Sequence, residues 1–284
     1  MTNAELPADL HVSFISDENY LIPLAAAGRS VIESCKYATL TIHVVSVGLS
    51  NAQHDRLRTS WEEVNVEVKF YEWDPRPFAD WPTKGYFTTS VYARLLLPDL
   101  IKRSGRLISL DCDMCVVGDL SPLLKVDLSG LPIGAVREPY TPVVSWRRGV
   151  VDWAEEGLAP DIPYFNSGLM VVDLDRWHEM GVGELCLAYG KRHLDTLVTV
   201  DEECLNGALR GSWTELGQEW NTGPYWRIAD RRTGQFEDIL ERRRVIHYQG
   251  IIKPWIKRED FDDHEDAHYF FGSLDRTAWR GWRP

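Results

Sequence analysis

Residues 10–15 (Leu-His-Val-Ser-Phe-Ile) are mostly apolar and stop at the polar cluster 16–20, the pattern of a buried strand opening into a turn. Apolar spacing and alanine content predict a helix over 21–38, and β-branched residues predict a second strand at 39–47. A polar, helix-compatible stretch at 50–63 leads to a third strand at 65–71. This βαβαβ alternation predicts an α/β protein with a Rossmann-like, mostly parallel central sheet flanked by helices. In such sheets ligands sit where strands end in polar loops, as at 16–20. Pro75, Pro77 and Pro82 forbid either element between 73 and 86, which reads as an ordered loop. Helical spacing resumes at 90–101, with Tyr92, Leu95, Leu96 and Leu100 on the apolar stripe and Arg94 off it.

The run 106–119 is read as a strand that ends abruptly in Asp111 and Asp113. Alternation along an extended chain would send both carboxylates to one side and Cys112 to the other. Two hard oxygen ligands so placed suit Mg²⁺ or Mn²⁺; a solvated acidic turn has the same composition. Asp119 reads as a turn or cap residue. A strand is predicted at 131–136, then a long loop at 139–163 with no clean period, and a strand at 164–174 that carries Asn166 and Ser167 near its start. Asp201, Glu202 and Glu203 fall in a predicted helical first turn, where acids also complement the helix dipole. Beyond them, His247 flanks an apolar pair and is followed by Gly250 and Lys253. A glycine that lets backbone approach and a lysine point charge equip a loop to grip phosphate. An imidazole added to two carboxylates would favour Mn²⁺ over Mg²⁺. Packed core histidine is the competing reading.

Composition narrows the partners. With 31 Lys plus Arg against 43 Asp plus Glu, the net charge of −12 argues against nucleic acid and anionic lipid. The start of the chain lacks a signal peptide's basic and apolar regions, and no run approaches the ~18 apolar residues of a membrane span. A cytoplasmic protein is expected. Cys35, Cys112, Cys115, Cys186 and Cys204 are scattered and odd in number, which reads as packed thiols rather than a disulfide framework. The charged, aromatic end with Arg276, Trp279, Arg280, Trp282 and Arg283 is open between a packed helix, a lid and a frayed tail.

Six short stretches together resemble the retaining glycosyltransferases of family 8, which include glycogenin and bacterial lipopolysaccharide galactosyl- and glucosyltransferases. They are residues 14–20 (Phe-Ile-Ser-Asp-Glu-Asn-Tyr), 92–94 (Tyr-Ala-Arg), 110–113 (Leu-Asp-Cys-Asp), 165–168 (Phe-Asn-Ser-Gly), 201–206 (Asp-Glu-Glu-Cys-Leu-Asn) and 247–255 (His-Tyr-Gln-Gly-Ile-Ile-Lys-Pro-Trp), in the family's order. The resemblance implies a GT-A fold in one domain over 1–284. Its nucleotide-binding half would cover about 10–119, its sugar and acceptor half about 131–255, and a tail 256–284. It further implies that Ile15, Asp17 and Asn19, with Ser16 and Cys112 from the same motifs, hold a UDP-sugar. Asp111, Asp113 and His247 would ligate Mn²⁺, with Mg²⁺ as the second candidate. Gly250 and Lys253 would grip the diphosphate, while Arg94, Asp111, Asn166, Asp201 and Glu138 would surround the donor sugar. Tyr86 would lie on the acceptor side. Glu202 departs from the glutamine common in the family, and with Asp201 is expected to act on the reacting carbon.

The resulting expectation is a Mn²⁺-dependent retaining hexosyltransferase using UDP-glucose or UDP-galactose. A saccharide, glycolipid, natural product or protein could be the acceptor, and a homo-oligomer is open. The alternatives are a self-glucosylating glycogenin-like primer and a non-catalytic sugar-nucleotide-binding protein. A sugar-nucleotide pyrophosphorylase would need a basic, glycine-rich loop where residues 16–19 are acidic.

Overall fold

The computed structural model describes residues 9–83, 88–223, 236–257 and 266–284. Strands β1 (Asp9–Ser16), β2 (Thr39–Ser46) and β3 (Val66–Glu72) alternate with helices α1 (Leu21–Ser34) and α2 (Asn51–Ser60). Helix α1 stops earlier than its apolar spacing suggests, because Cys35 is extended at φ −98°, ψ 149°. Ser50 caps α2 and Gln53 returns the bond, a reciprocal capping box that fixes where this helix starts.

After α3 (Leu97–Ile101) come β4 (Arg106–Leu110), β5 (Met114–Val116), β6 (Ile133–Arg137) and β7 (Phe165–Asp173). Helices α4 (Leu174–Glu179), α5 (Val182–Arg192) and α6 (Val200–Leu209) lead to β8 (Thr214–Leu216). The chain closes with α7 (Phe236–Arg242), β9 (Val245–His247) and α8 (Ala267–Leu274). The main sheet has the order β3-β2-β1-β4-β7-β6-β8, and β5 pairs with β9 in a separate two-stranded ladder. Only β7 runs against its two neighbours, so the sheet is mostly parallel as expected.

Period-two alternation divides the core. Ile108, Leu110, Leu169 and Val171 join one apolar cluster, whereas Leu107, Met170 and Val172 join another on the opposite face. On the first face Trp61 is fully buried and its indole N–H donates to Ala25 O at 3.0 Å. Gly28 makes room for it: a Cβ there would lie 2.4 Å from the indole.

Two expected elements differ. The predicted helix over 90–101 is a tight 3₁₀ segment, Thr89–Leu96, followed by the short α3. Pro98 lacks an N–H and its ring crowds the carbonyl four residues back, so a continuous α-helix cannot pass it. The predicted strand over 106–119 breaks after Leu110, where Met114 N–H closes a turn on Asp111 O at 3.2 Å. Asp111 and Asp113 therefore sit in a turn rather than on an extended strand. The terminal segment is a packed element: Phe270, Leu274 and Trp279 are buried, and Arg56 lies 4.0 Å above the Trp279 ring. Asp119 accepts the backbone N–H of Ser121 and of Lys36, a turn residue as read.

Truncating Trp61 removes the largest side chain of the first cluster. Trp61→Ala is expected to cost about 3–5 kcal/mol, measured as a lowered urea midpoint with an unchanged slope.

Candidate active site

Register explains how distant residues meet. β1 and β4 are parallel neighbours, so the turns after them open at the same edge of the sheet. Because β7 is antiparallel to β4, its beginning lies beside the end of β4, and Asp111 N–H donates to Gly168 O at 2.8 Å. β6 ends there too: Val136 pairs with Asn166, and Glu138 N–H donates to Tyr164 O at 2.9 Å. The β5–β9 ladder pairs Met114 with His247, which sets the imidazole beside the turn 111–113. Gly168 is required by this closeness, since a Cβ there would lie 2.7 Å from His247 Cε1.

These ends enclose one cavity of about 320 Å³. Ile15 and Asp17 line it from β1, Arg94 from the 3₁₀ segment, and Asp111, Cys112 and Asp113 from the turn after β4. Glu138, Asn166, Asp201, Glu202, His247 and Gly250 complete the expected set on its wall. Ser16, Asn19 and Lys253 do not line it. Ser16 is buried and its hydroxyl donates to Asp17 O at 2.9 Å, while the Asn19 N–H donates to Asp17 Oδ1 at 3.0 Å. Lys253 is buried behind Asp113, to which it donates, and it also donates to Tyr248 O at 2.5 Å. Tyr86 lies outside the described residues.

Ligand atoms of Asp111, Asp113 and His247 all lie within 4.8 Å of one another, so each can offer one atom to a common cation. Burial alone would raise the Asp113 carboxyl, yet Lys253 and His247 outweigh it and hold the group well below the ordinary carboxylate range. It is therefore ionised and ready to coordinate.

Arg94 joins two acidic groups. It donates to Asp111, to Asp201 Oδ2 at 2.5 Å and to Ser167 Oγ at 2.8 Å, and is itself buried. Burial disfavours its charge, but Asp111, Asp201 and Glu202 more than compensate, leaving the guanidinium firmly protonated. Burial also lifts the Asp201 carboxyl to about 6 against the pull of Arg94.

The three acids of α6 divide their work in a way dipole complementation does not explain. Glu203 faces inward and accepts Val198 N–H at 2.7 Å and Val151 N–H at 3.0 Å, tying the loop 139–163 to the helix. Asp201 and Glu202 face the cavity. Val200, just before them, has φ +45°, a left-handed conformation that costs a β-branched residue roughly 1–3 kcal/mol. Glu202 Oε2 accepts Ser167 N–H and Asn166 Nδ2, both at 3.1 Å. Asn166 Nδ2 also donates to Glu138 Oε2 at 2.8 Å, so one amide bridges two carboxyl groups. Burial, then the charge of Glu138, pushes the Glu202 carboxyl well above the ordinary range.

The matches to known proteins agree with this geometry. The family model described as glycosyl transferase family 8 fits residues 11–259, most of the chain. The chain belongs to glycosyl transferase family 8. It is 25% identical over 281 residues to general stress protein A of Bacillus subtilis, covering 95% of this chain and 94% of that one. It is 23% identical over 288 residues to a lipopolysaccharide 1,2-glucosyltransferase of Escherichia coli K12, covering 100% of this chain and 83% of the relative. The galactosyltransferase LgtC, crystallised with donor and acceptor sugar analogs, superposes with a TM-score of 0.80 at 25% identity over 96% of this chain and 99% of LgtC. An LgtC active-site mutant with glutamine changed to glutamate superposes at 0.81. The family 8 chain thus has the GT-A fold and is a sugar transferase. Among the described residues, no helix is long and apolar enough to cross a membrane.

Several lining residues were not singled out from the sequence. Thr88 donates to Asp17 Oδ2 at 2.6 Å, Gln249 donates to Glu138 Oε2 at 3.0 Å, and Thr141 and Arg148 reach the wall from the long loop. Gln249 lies two residues from His247 and could have been found by that spacing. The others are ordinary loop residues until the fold closes.

Removing the charge beside Glu202 should lower its titration midpoint, although burial keeps it above an exposed carboxylate. Carbon-13 NMR of labelled glutamate in Glu138→Gln should show that fall; an unchanged midpoint would refute the pairing. Because the native state holds this proton more tightly than the unfolded chain, Glu202 favours folding at low pH and loses that contribution as pH rises through its native midpoint.

Proposed function

We propose that the protein is a metal-dependent, retaining hexosyltransferase that moves glucose or galactose from a UDP-sugar to an acceptor hydroxyl. The observation that carries this reading is the convergence of Asp111, Asp113 and His247 on the cavity lined by Arg94, Asp201 and Glu202. Two hard carboxylates and one imidazole make a donor set that fits Mn²⁺ better than Mg²⁺, which prefers oxygen alone. Bound there, the ion would neutralise negative charge growing on the departing diphosphate.

The chain's own residues account for binding and orientation. Ile15 and Asp17, at the end of β1, would take the uridine. Gly250, at φ +85°, lets backbone come close to phosphate without a side chain in the way. Lys253 is held one step back by Asp113 and would supply a second positive charge to the diphosphate. Arg94 and Asp201 present fixed donors and acceptors to sugar hydroxyls, and their ion pair keeps both rotamers locked. Glu202 and Glu138 face the reacting carbon. With its carboxyl lifted, Glu202 rests towards the neutral form, able to hydrogen-bond a hydroxyl. The fraction of Glu202 that is ionised would stabilise positive charge developing on the anomeric carbon, or bond to that carbon as its bond to the diphosphate oxygen breaks. The acceptor would approach from the loop 139–163, whose Tyr140, Thr141 and Arg148 line the cavity.

Purified protein supplied with UDP-glucose or UDP-galactose and Mn²⁺ is expected to release UDP slowly by transfer to water. EDTA should stop it, Mn²⁺ should restore it, and His247→Ala or Asp113→Asn should lower it by roughly 10²-fold or more. Full activity in chelator would defeat the proposal. Glu202→Ala should lose roughly 10²-fold in turnover, and added azide should trap the sugar as a glycosyl azide identified by NMR. Unchanged turnover in that variant would remove Glu202 from the chemistry.

A further inference from the structure

The metal-ligand triad and the Glu138/Glu202 pair are joined by two buried amides whose orientation follows from one backbone group. The N–H of Gly168 can only donate, and it meets a side-chain atom of Asn166 at 3.0 Å, which must be Oδ1. Nδ2 is then the atom facing the two glutamates, whose oxygens take its two hydrogens. The same Asn166 Oδ1 lies 2.7 Å from Asn221, so the atom offered there must be the donor Nδ2. Oδ1 of Asn221 consequently faces His247 Nδ1 at 2.9 Å. An amide oxygen can only accept, so Nδ1 carries the ring hydrogen.

Nε2 is thereby the nitrogen that gives up its proton when the ring is neutral. It lies 3.2 Å from Asp113 Oδ1 and 3.9 Å from Asp111 Oδ2, at the centre of the triad. Asn166, Asn221 and His247 are all buried, so water cannot substitute for a missing partner. A bridge between Thr222 and Ile246, with His247 N–H donating to Thr222 O at 2.9 Å, fixes Asn221 beside the ring independently of the side chains.

We infer that Asn221 is a positioning residue that selects the Nδ1–H tautomer of His247, aiming the Nε2 lone pair at the space between Asp111 and Asp113. An aspartate at 221 would accept the same hydrogen but add a negative charge and lose the donor to Asn166. The amide satisfies both neighbours without charge. The tautomer rests on hydrogen bonds alone; its consequence for a cation rests on the metal reading proposed above.

The test uses metal-free protein labelled with ¹⁵N-histidine, with the pH raised until the His247 ring carries a single N–H. Long-range ¹H–¹⁵N spectra report the tautomer, and loss of one spin system in His247→Gln assigns it. Wild type should show Nδ1–H, and Asn221→Asp, which keeps an acceptor oxygen, should retain it. Asn221→Leu, similar in size without an acceptor, should shift to Nε2–H donating to Asp113. Its Mn²⁺ affinity, followed by the EPR signal of free Mn²⁺, should fall roughly 10–100-fold. An Nε2–H ring in wild type, or an Nδ1–H ring in Asn221→Leu, would overturn the inference. If wild type takes up no Mn²⁺, the metal reading fails, while the spectra still decide the part played by Asn221.

Discussion

Six acidic side chains share one cavity wall, and the single buried guanidinium of Arg94 makes that crowding tolerable. It sits between Asp111 of the turn after β4 and Asp201 of α6, so these two elements meet through one cation. Removing water from isolated carboxylates costs several kcal/mol each, and pairing recovers that cost only when the geometry is good. Lys253 does the equivalent for Asp113 from behind the wall. Where burial and a neighbouring carboxylate outweigh the pull of Arg94, the acid answers differently: Glu202, next to Glu138, has its proton held more tightly instead.

Those charges are held still by backbone. The carboxyl end of β1, the turn after β4, the start of β7 and the end of β6 all arrive at one sheet edge because β7 alone reverses direction. The β5–β9 ladder then adds His247 and, through Thr222, Asn221. Strain is stored at Val200, whose left-handed backbone immediately precedes Asp201 and Glu202 on the cavity wall.

The strands were largely legible because burial on both faces leaves mostly apolar segments, as in residues 10–15 and 169–172. Asp111, Asp113, His247 and Asp201 were legible from motifs whose order matches the family. What sequence did not reveal was reach. Arg94 was placed off the apolar stripe by its spacing, and only the fold shows that the 3₁₀ segment before Pro98 buries it. Lys253 was read as a phosphate-gripping residue, but its pairing with Asp113 was not legible, since a short-range pattern says nothing about which carboxylate is nearest. Asn221 was invisible because its importance comes from a partner supplied by another strand.

The ladder between Met114 and His247 spans nearly half of the chain's length. Closing so wide a loop is entropically expensive, and nothing local repays the cost until both strands exist. During synthesis the first strand of that ladder must wait, unpaired, until the second has left the ribosome. The N-terminal βαβ layers can assemble early, but the cage around the triad is among the last parts to form. A nascent chain shortened before residue 245 would lack β9, and with it the imidazole beside Asp111 and Asp113.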